Sequence, residues 1–212
     1  MIWEPLQLLY WKVQDWLARG QWGEQPERGV LRDDTYSLIT FSAPSKWVQY
    51  RTVLSPASCM FADPSTGGLL FVGSSINAMF GVGSYDLIIN ATMEVPQFDY
   101  LTPFLRVPVR DVHGAHLFFN ASHGLQVVLT VHRAIMAGKT VLVHCQFGAS
   151  RSVAVTMAYL MWRHRQKTMI QVYQELRQKR QIVHVNSNFL KEVKEMLPVW
   201  DTCTHQLAMY HA

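Results

Sequence analysis

Between Thr140 and Arg163 the chain changes character twice, and those changes dictate much of what it can fold into. Thr140–His144 (TVLVH) is an unbroken run of strong β-formers, as a strand buried on both faces of a sheet must be. A loop with one glycine follows. From Arg151 to Arg163 (RSVAVTMAYLMWR) the apolar residues run too long for a strand and read as a helix buried on most sides. A buried strand passing through a tight loop into a buried helix is one unit of an α/β fold.

The neighbouring segments extend that unit. Leu69–Val72 and Leu87–Asn90 are short apolar runs bounded by turn residues, and Phe104–Val109 is a third strand candidate. Leu125, Val128, Leu129, His132, Ile135 and Met136 keep helical spacing, with Gly138 placed to close the helix. Thr168 and Gln171 form a capping box that opens a helix to about Arg180, and a last helix covers about Ser187–Leu197 and stops at Pro198. The expected fold is α/β, a mainly parallel central sheet flanked by helices, with an N-terminal helical extension. In that extension Pro5–Ala18 is an amphipathic helix, with Leu6, Leu9, Tyr10, Val13 and Leu17 on one side. Gln21–Arg32 reads as a loop, Trp47–Leu54 as a weak strand and Phe61–Gly68 as a turn-rich joint, so the core is expected to start near Gly68. The implied organisation is an extension (1–64), a globular domain (65–200) and a short tail (201–212).

Composition narrows the class. Of 212 residues, 49% are hydrophobic and 16% charged, which excludes a wholly disordered chain. The longest uncharged stretches, Pro64–Tyr85 and Val112–His132, are broken by glycines or by four histidines, so neither reads as a membrane span. Glu4 and Pro5 interrupt the N-terminus, so no signal peptide is visible and a cytoplasmic or nuclear location is expected. Three cysteines cannot build a disulfide framework and suit a reducing compartment where one thiol does chemistry. The net charge of +4 resides in the last third, where residues 151–212 hold nine basic and four acidic side chains. No nucleic-acid signature accompanies it, so it reads as a solvated helix face, or more weakly as a basic rim drawing in an anionic substrate. Trp3, Trp11, Trp16 and Trp22 either pack the extension on its own core or form a partner-binding surface.

The chemistry concentrates in Val141–Ser152 (VLVHCQFGASRS). Backbone N–H groups of the loop Gln146, Phe147, Gly148, Ala149, Ser150 and of the helix start converge on one concavity, an anion site about the size of a phosphate. Gly148 lets the backbone curl, and Arg151 adds a planar fork for two phosphoryl oxygens. The same positive surroundings favour thiolate at Cys145, making it a nucleophile at neutral pH, and Ser152 is placed to hydrogen-bond the sulfur as it leaves. An inert buried cysteine is the alternative for a lone Cys; the joint pattern of Cys, five loop residues, Arg and Ser disfavours it.

His144-Cys-x5-Arg151-Ser152, continued by Val153–Met161, resembles the cysteine-based protein phosphatases, and specifically the dual-specificity group. Leu70–Gly73, Asp86–Asn90 and Ile182–Leu190, with Asn186 and Phe189, resemble that family's first core strands and final helix entry, so the likeness spans about Gly68–Leu197. It implies a phosphomonoesterase acting on phosphotyrosine and phosphoserine/phosphothreonine of proteins through a cysteinyl-phosphate. It also implies a general acid on a mobile loop upstream. Leu105–Asp111 resembles that loop, and Asp111, 34 positions before Cys145, is the candidate. Asp86 and Asp99 are poorer candidates, and Glu94 could border the pocket. His144 is expected behind the loop, fixing it and the thiolate rather than acting as a base. His113 and His116 could lie near the acid loop. Arg180 resembles a basic residue at the pocket rim. No metal or other cofactor is implied, because thiolate and arginine do the work that metals do in other phosphatases. Phe147 departs from the family's usual small residue, and would narrow the pocket or pack under the extension. Rival readings are the same chemistry on a phosphoinositide or a 5′-phosphorylated RNA, a non-catalytic phosphate-binding module, and a sulfur-transfer or arsenate-reducing enzyme. The uncharged loop residues and the Ser-Val after Arg151 favour protein substrate.

Overall fold

The structure, a computed structural model, describes residues 29–32, 38–41, 54–98 and 101–210. The expected helix Pro5–Ala18, most of the Gln21–Arg32 loop, residues 47–53 of the weak strand, Asp99 and the four N-terminal tryptophans lie outside them.

A five-stranded sheet carries the domain. In chain order its strands are β3 (Ser58–Ala62), β4 (Leu69–Gly73), β5 (Leu87–Asn90), β6 (Phe104–Arg106) and β7 (Thr140–His144). Their spatial order is β3-β4-β7-β5-β6, with β4, β7, β5 and β6 parallel and β3 antiparallel on the edge beside β4. The central strand is the all-apolar β7, where hydrophobicity on both faces is most useful. Two further strands, β1 (Gly29–Arg32) and β2 (Leu38–Phe41), pair antiparallel as a separate ribbon, so the end of the expected Gln21–Arg32 loop is a strand.

The core begins earlier than Gly68. β3 supplies Met60, 3% exposed, and covers the open side of β4. Its pairing shifts register between Cys59 and Phe61. Such a bulge breaks the two-residue alternation by which a strand is recognised, and the sequence therefore reads Phe61 and Ala62 as part of a joint. Only Phe104–Arg106 of the third strand candidate is strand.

Among the described residues five helices flank the sheet: α1 (Ser75–Phe80), α2 (Ala121–Met136), α3 (Arg151–Arg163), α4 (Met169–Lys179) and α5 (Ser187–Tyr210). α3 lies against β4 and β7 and is packed in turn by α2, α4 and α5, so eleven of its thirteen residues are buried. The capping box of Thr168 and Gln171 opens α4, and Gly138, at φ +71°, follows directly on the last residues of α2.

α5 does not stop at Pro198 but runs through it for 24 residues, into the stretch expected as a tail. Proline removes one intrahelical donor, yet Trp200 compensates. Its indole is fully buried, stacks edge-on against Phe118 at 6.0 Å, and donates from Nε1 to Ala121 O at 2.7 Å.

Candidate active site

The parallel strands deliver three chain ends to one edge of the sheet. His144 pairs in register with Gly73 on one side and Asn90 on the other. Cys145 is the next residue, held by its own N–H to Gly73 O at 3.4 Å and by Ala91 N–H to His144 O at 2.8 Å. The loop from there to α3 closes over the sulfur. Gly148 N–H donates to Cys145 Sγ at 3.2 Å and Ser152 Oγ–H at 3.3 Å. Gly148 sits at φ +70°, and a Cβ there would lie 2.6 Å from Gly73 O, so no other residue fits this turn.

Cys145 is 2% exposed. Burial alone would push the thiol up; Arg151 and the hydrogen bonds from Ser152 outweigh it and hold the thiol below its ordinary range. The outer side of the loop is fastened separately. Gln146 O accepts from both N–H and Oγ–H of Ser75 at 3.2 Å. Phe147 packs against the small cluster of Ala149 and Ile182, on which Ile76 of α1 also packs.

Arg151 projects from the first turn of α3 with its side chain 5% exposed. Nη1 donates to Glu94 Oε1 at 2.6 Å and to Val109 O at 3.1 Å, while buried Nε lacks a hydrogen-bond partner and lies 3.7 Å from Asp111 Oδ2. Asp111 accepts from Ser150 Oγ at 3.0 Å, so the acid-loop candidate and the phosphate-loop candidate meet. Desolvation raises the Asp111 carboxyl above its ordinary range, and Glu94 adds to this against the opposing pull of Arg151, Ser150 and Asn186. The segment bearing Asp111 is tied at both ends. Val107 N–H bonds Asn90 O at 2.9 Å, Asn186 Nδ2 bonds Val112 O at 3.1 Å, and the Glu192 carboxylate takes the N–H groups of Leu117 and Phe118 at 2.8 Å.

The remaining candidates fall out as follows. His144 is 1% exposed behind the loop, and burial lowers it to about 4, so its ring is neutral at physiological pH. Asp86 lies at the far end of the strands, accepting from Thr140 N–H at 2.8 Å. His113 contacts Asn188, with Nδ1 3.5 Å from Asn188 Nδ2, and the largely exposed His116 reaches Glu192. Among the described residues no group of three or more His, Cys, Asp or Glu is placed to hold a metal ion, and no helix is long and apolar enough to cross a membrane. Arg180 is not at a rim. It is 1% exposed beneath the loop and donates to Gly148 O and Phe147 O; a basic residue near the end of a helix gives no sequence sign of which way it turns. Glu94 borders the pocket as the partner of Arg151, a pairing that only the fold brings about.

A strand–loop–helix that surrounds a thiol with amide donors and a buried guanidinium, at the C-terminal edge of a parallel sheet, defines a cysteine-based phosphatase. The family model "Dual specificity phosphatase, catalytic domain" matches residues 70–197, and the chain belongs to that family. Mouse dual specificity protein phosphatase 14 is 27% identical over 156 residues, covering 68% of this chain and 75% of its own. Protein 123R of Invertebrate iridescent virus 6, named for a tyrosine phosphatase, is 33% identical over 111 residues, covering 52% of this chain and 74% of its own. Among solved structures, a single-substitution form of human DUSP28 is 28% identical with a TM-score of 0.56, covering 70% of this chain and 98% of that one. The protein is thus a cysteine-based protein phosphatase of the dual-specificity family.

Proposed function

We propose that this phosphatase works in two steps through Cys145. The observation that carries the proposal is the position of its sulfur, buried at the strand end within reach of Gly148 N–H and Ser152 Oγ–H and electrically coupled to Arg151. The thiolate attacks phosphorus in line while the amides of Gln146–Ser150 and the Arg151 fork hold the equatorial oxygens as charge develops. Arg151 exchanges part of its contact with Glu94 for substrate oxygens, and Nε is ready to donate. Asp111, whose carboxyl burial raises above its ordinary range, gives its proton to the leaving oxygen. The P–O bond to the leaving group breaks as the S–P bond forms. Asp111 then takes a proton from water, whose oxygen displaces Cys145, and Ser152 stabilises the departing thiolate. His144 supports the strand end and takes no proton.

The catalytic unit in this reading is the 65–200 segment together with β3, acting in the cytoplasm or nucleus, and the Trp-rich extension is a partner-binding element. The test is Cys145→Ser. It should abolish turnover of phosphopeptides and aryl phosphates while still binding a phosphate analogue. Activity above about a hundredth of wild type would remove the mechanism, since loss of a covalent nucleophile costs several orders of magnitude.

A further inference from the structure

Arg180 ends α4, and its guanidinium lies under the phosphate loop rather than in the pocket. Nε donates to Gly148 O at 2.8 Å, Nη2 to Phe147 O at 3.2 Å and Nη1 to Ser58 Oγ of β3 at 3.3 Å. No peptide bond in the described residues is cis. In a trans peptide the C=O and the following N–H point in opposite directions. A carbonyl drawn down to Arg180 therefore turns the next amide up. Phe147 O bound below sends Gly148 N–H to the other side, where it reaches Cys145 Sγ at 3.2 Å. Gly148 O bound below does the same to Ala149 N–H. A Cβ at Gly148 would lie 2.8 Å from Arg180 Nη2, which shows how closely the guanidinium backs the turn.

We infer that Arg180 is a positioning residue: by clamping the Phe147 and Gly148 carbonyls from beneath, it aims two loop amides at the thiolate and the phosphoryl oxygens. The inference rests on the phosphatase reading of Cys145 and goes beyond it, because Arg180 acts through the loop carbonyls it binds. Neutral polar groups could fill the same hydrogen bonds. A charged fork adds two donors in one rigid plane, which a lysine cannot reproduce. Its charge also faces the sulfur: burial lowers Arg180 to about 10, with the thiolate opposing that fall, so it stays cationic at neutral pH as a second positive group beside Arg151.

The experiment uses the full chain with Arg180→Met and the milder Arg180→Lys, which keeps the charge and loses the fork. Three quantities are read: the inhibition constant of inorganic vanadate, the pH midpoint of Cys145 alkylation by iodoacetate, and kcat/KM on an aryl phosphate. Arg180→Met should weaken vanadate at least about tenfold and lower kcat/KM about a hundredfold, as misplaced donors do. It should raise the thiol midpoint by about one unit, as removal of a nearby cation does. Arg180→Lys should keep most of the midpoint and lose the vanadate affinity. If Arg180→Met does not fold, the Arg180→Lys result alone decides. Variants that melt earlier but keep all three quantities at wild-type values would overturn the inference and make Arg180 a packing residue. A wild-type thiol that titrates in the ordinary cysteine range would instead overturn the reading of Cys145.

Discussion

A carboxylic acid donates a proton only while it still holds one, and burial keeps Asp111 protonated to higher pH than an exposed aspartate. Its loss of that proton should set the descending limb of the kcat/KM profile, and the depressed Cys145 thiol the ascending limb. Asp111→Asn should abolish the descending limb and slow phosphopeptides strongly, while an activated aryl phosphate, which leaves without a proton, is slowed much less. Equal losses on both substrates would exclude Asp111 as the acid. For Arg151 the decisive change is Arg151→Lys. It keeps the charge at Glu94 but not the planar fork, so turnover should collapse in a protein that still folds, and a near-normal rate would reduce Arg151 to a helix-start residue. Asp63, at the opposite end of α3, gives a prediction about stability. Ser65, Thr66 and the Arg163 guanidinium hold its carboxylate, and with the Ser65 hydroxyl as the largest influence it falls to about 2. A depressed folded-state value stabilises above the ordinary aspartate range and is lost as pH falls through about 2. The melting temperature of wild type should therefore drop between about pH 4 and pH 2 more steeply than that of Asp63→Asn.

At the scale of elements, α5 tests whether packing or propensity decides a helix end. Pro198 costs the helix a donor, and Trp200 against Phe118 and Ala121 offsets it, beside the Arg165–Asp201 ion pair and Cys203 packed on the core. Trp200→Ala should destabilise by about 3–5 kcal/mol in urea. Trp200→Phe, which keeps a ring but removes the indole donor to Ala121 O, should cost about 0.5–1.5 kcal/mol. A loss within about 0.5 kcal/mol, as for an ordinary surface change, would show that α5 is held by other means. The same competition explains what the sequence revealed. β7 and α3 were legible because their patterns are long and apolar on most sides. The capping box of α4 was legible because its two residues satisfy each other locally. α1 has six residues, too few for a periodic signal, and β3 hides behind its bulge. Within the site, Cys145, Arg151 and Ser152 were readable because one loop contains them all. Asp111 was reachable only through family resemblance. The directions taken by Arg180 and Glu94 depend on elements more than thirty residues away, which no local pattern encodes.

For the whole molecule, the question is where the catalytic unit begins. The family match starts at residue 70, but β3 lies before it and is tied to the sheet and the site at several points. Met60 is buried in the core, Lys179 Nζ bonds Met60 O at 2.7 Å, Ser58 bonds Arg180, and Asp63 is the carboxylate partner of Arg163. A chain beginning at residue 65 would lose all of these and leave the edge of β4 unpaired. Removing the Met60 side chain alone costs about 2–5 kcal/mol, and leaving a largely buried Arg163 without its carboxylate adds to that. Against a total of about 5–15 kcal/mol for a domain, the sum reaches the threshold of unfolding. A chain of residues 54–212 keeps every one of these contacts. It should give a cooperative melt and hydrolyse an aryl phosphate, whereas 65–212 should be aggregated or melt without a transition. The comparison is made by thermal denaturation and by turnover on the two truncated chains side by side. Equal stability and equal turnover would place the boundary after β3 and remove the edge strand from the catalytic unit. Failure of both would mean that residues before 54 are also needed, with β1, which packs against α5, the first element to restore.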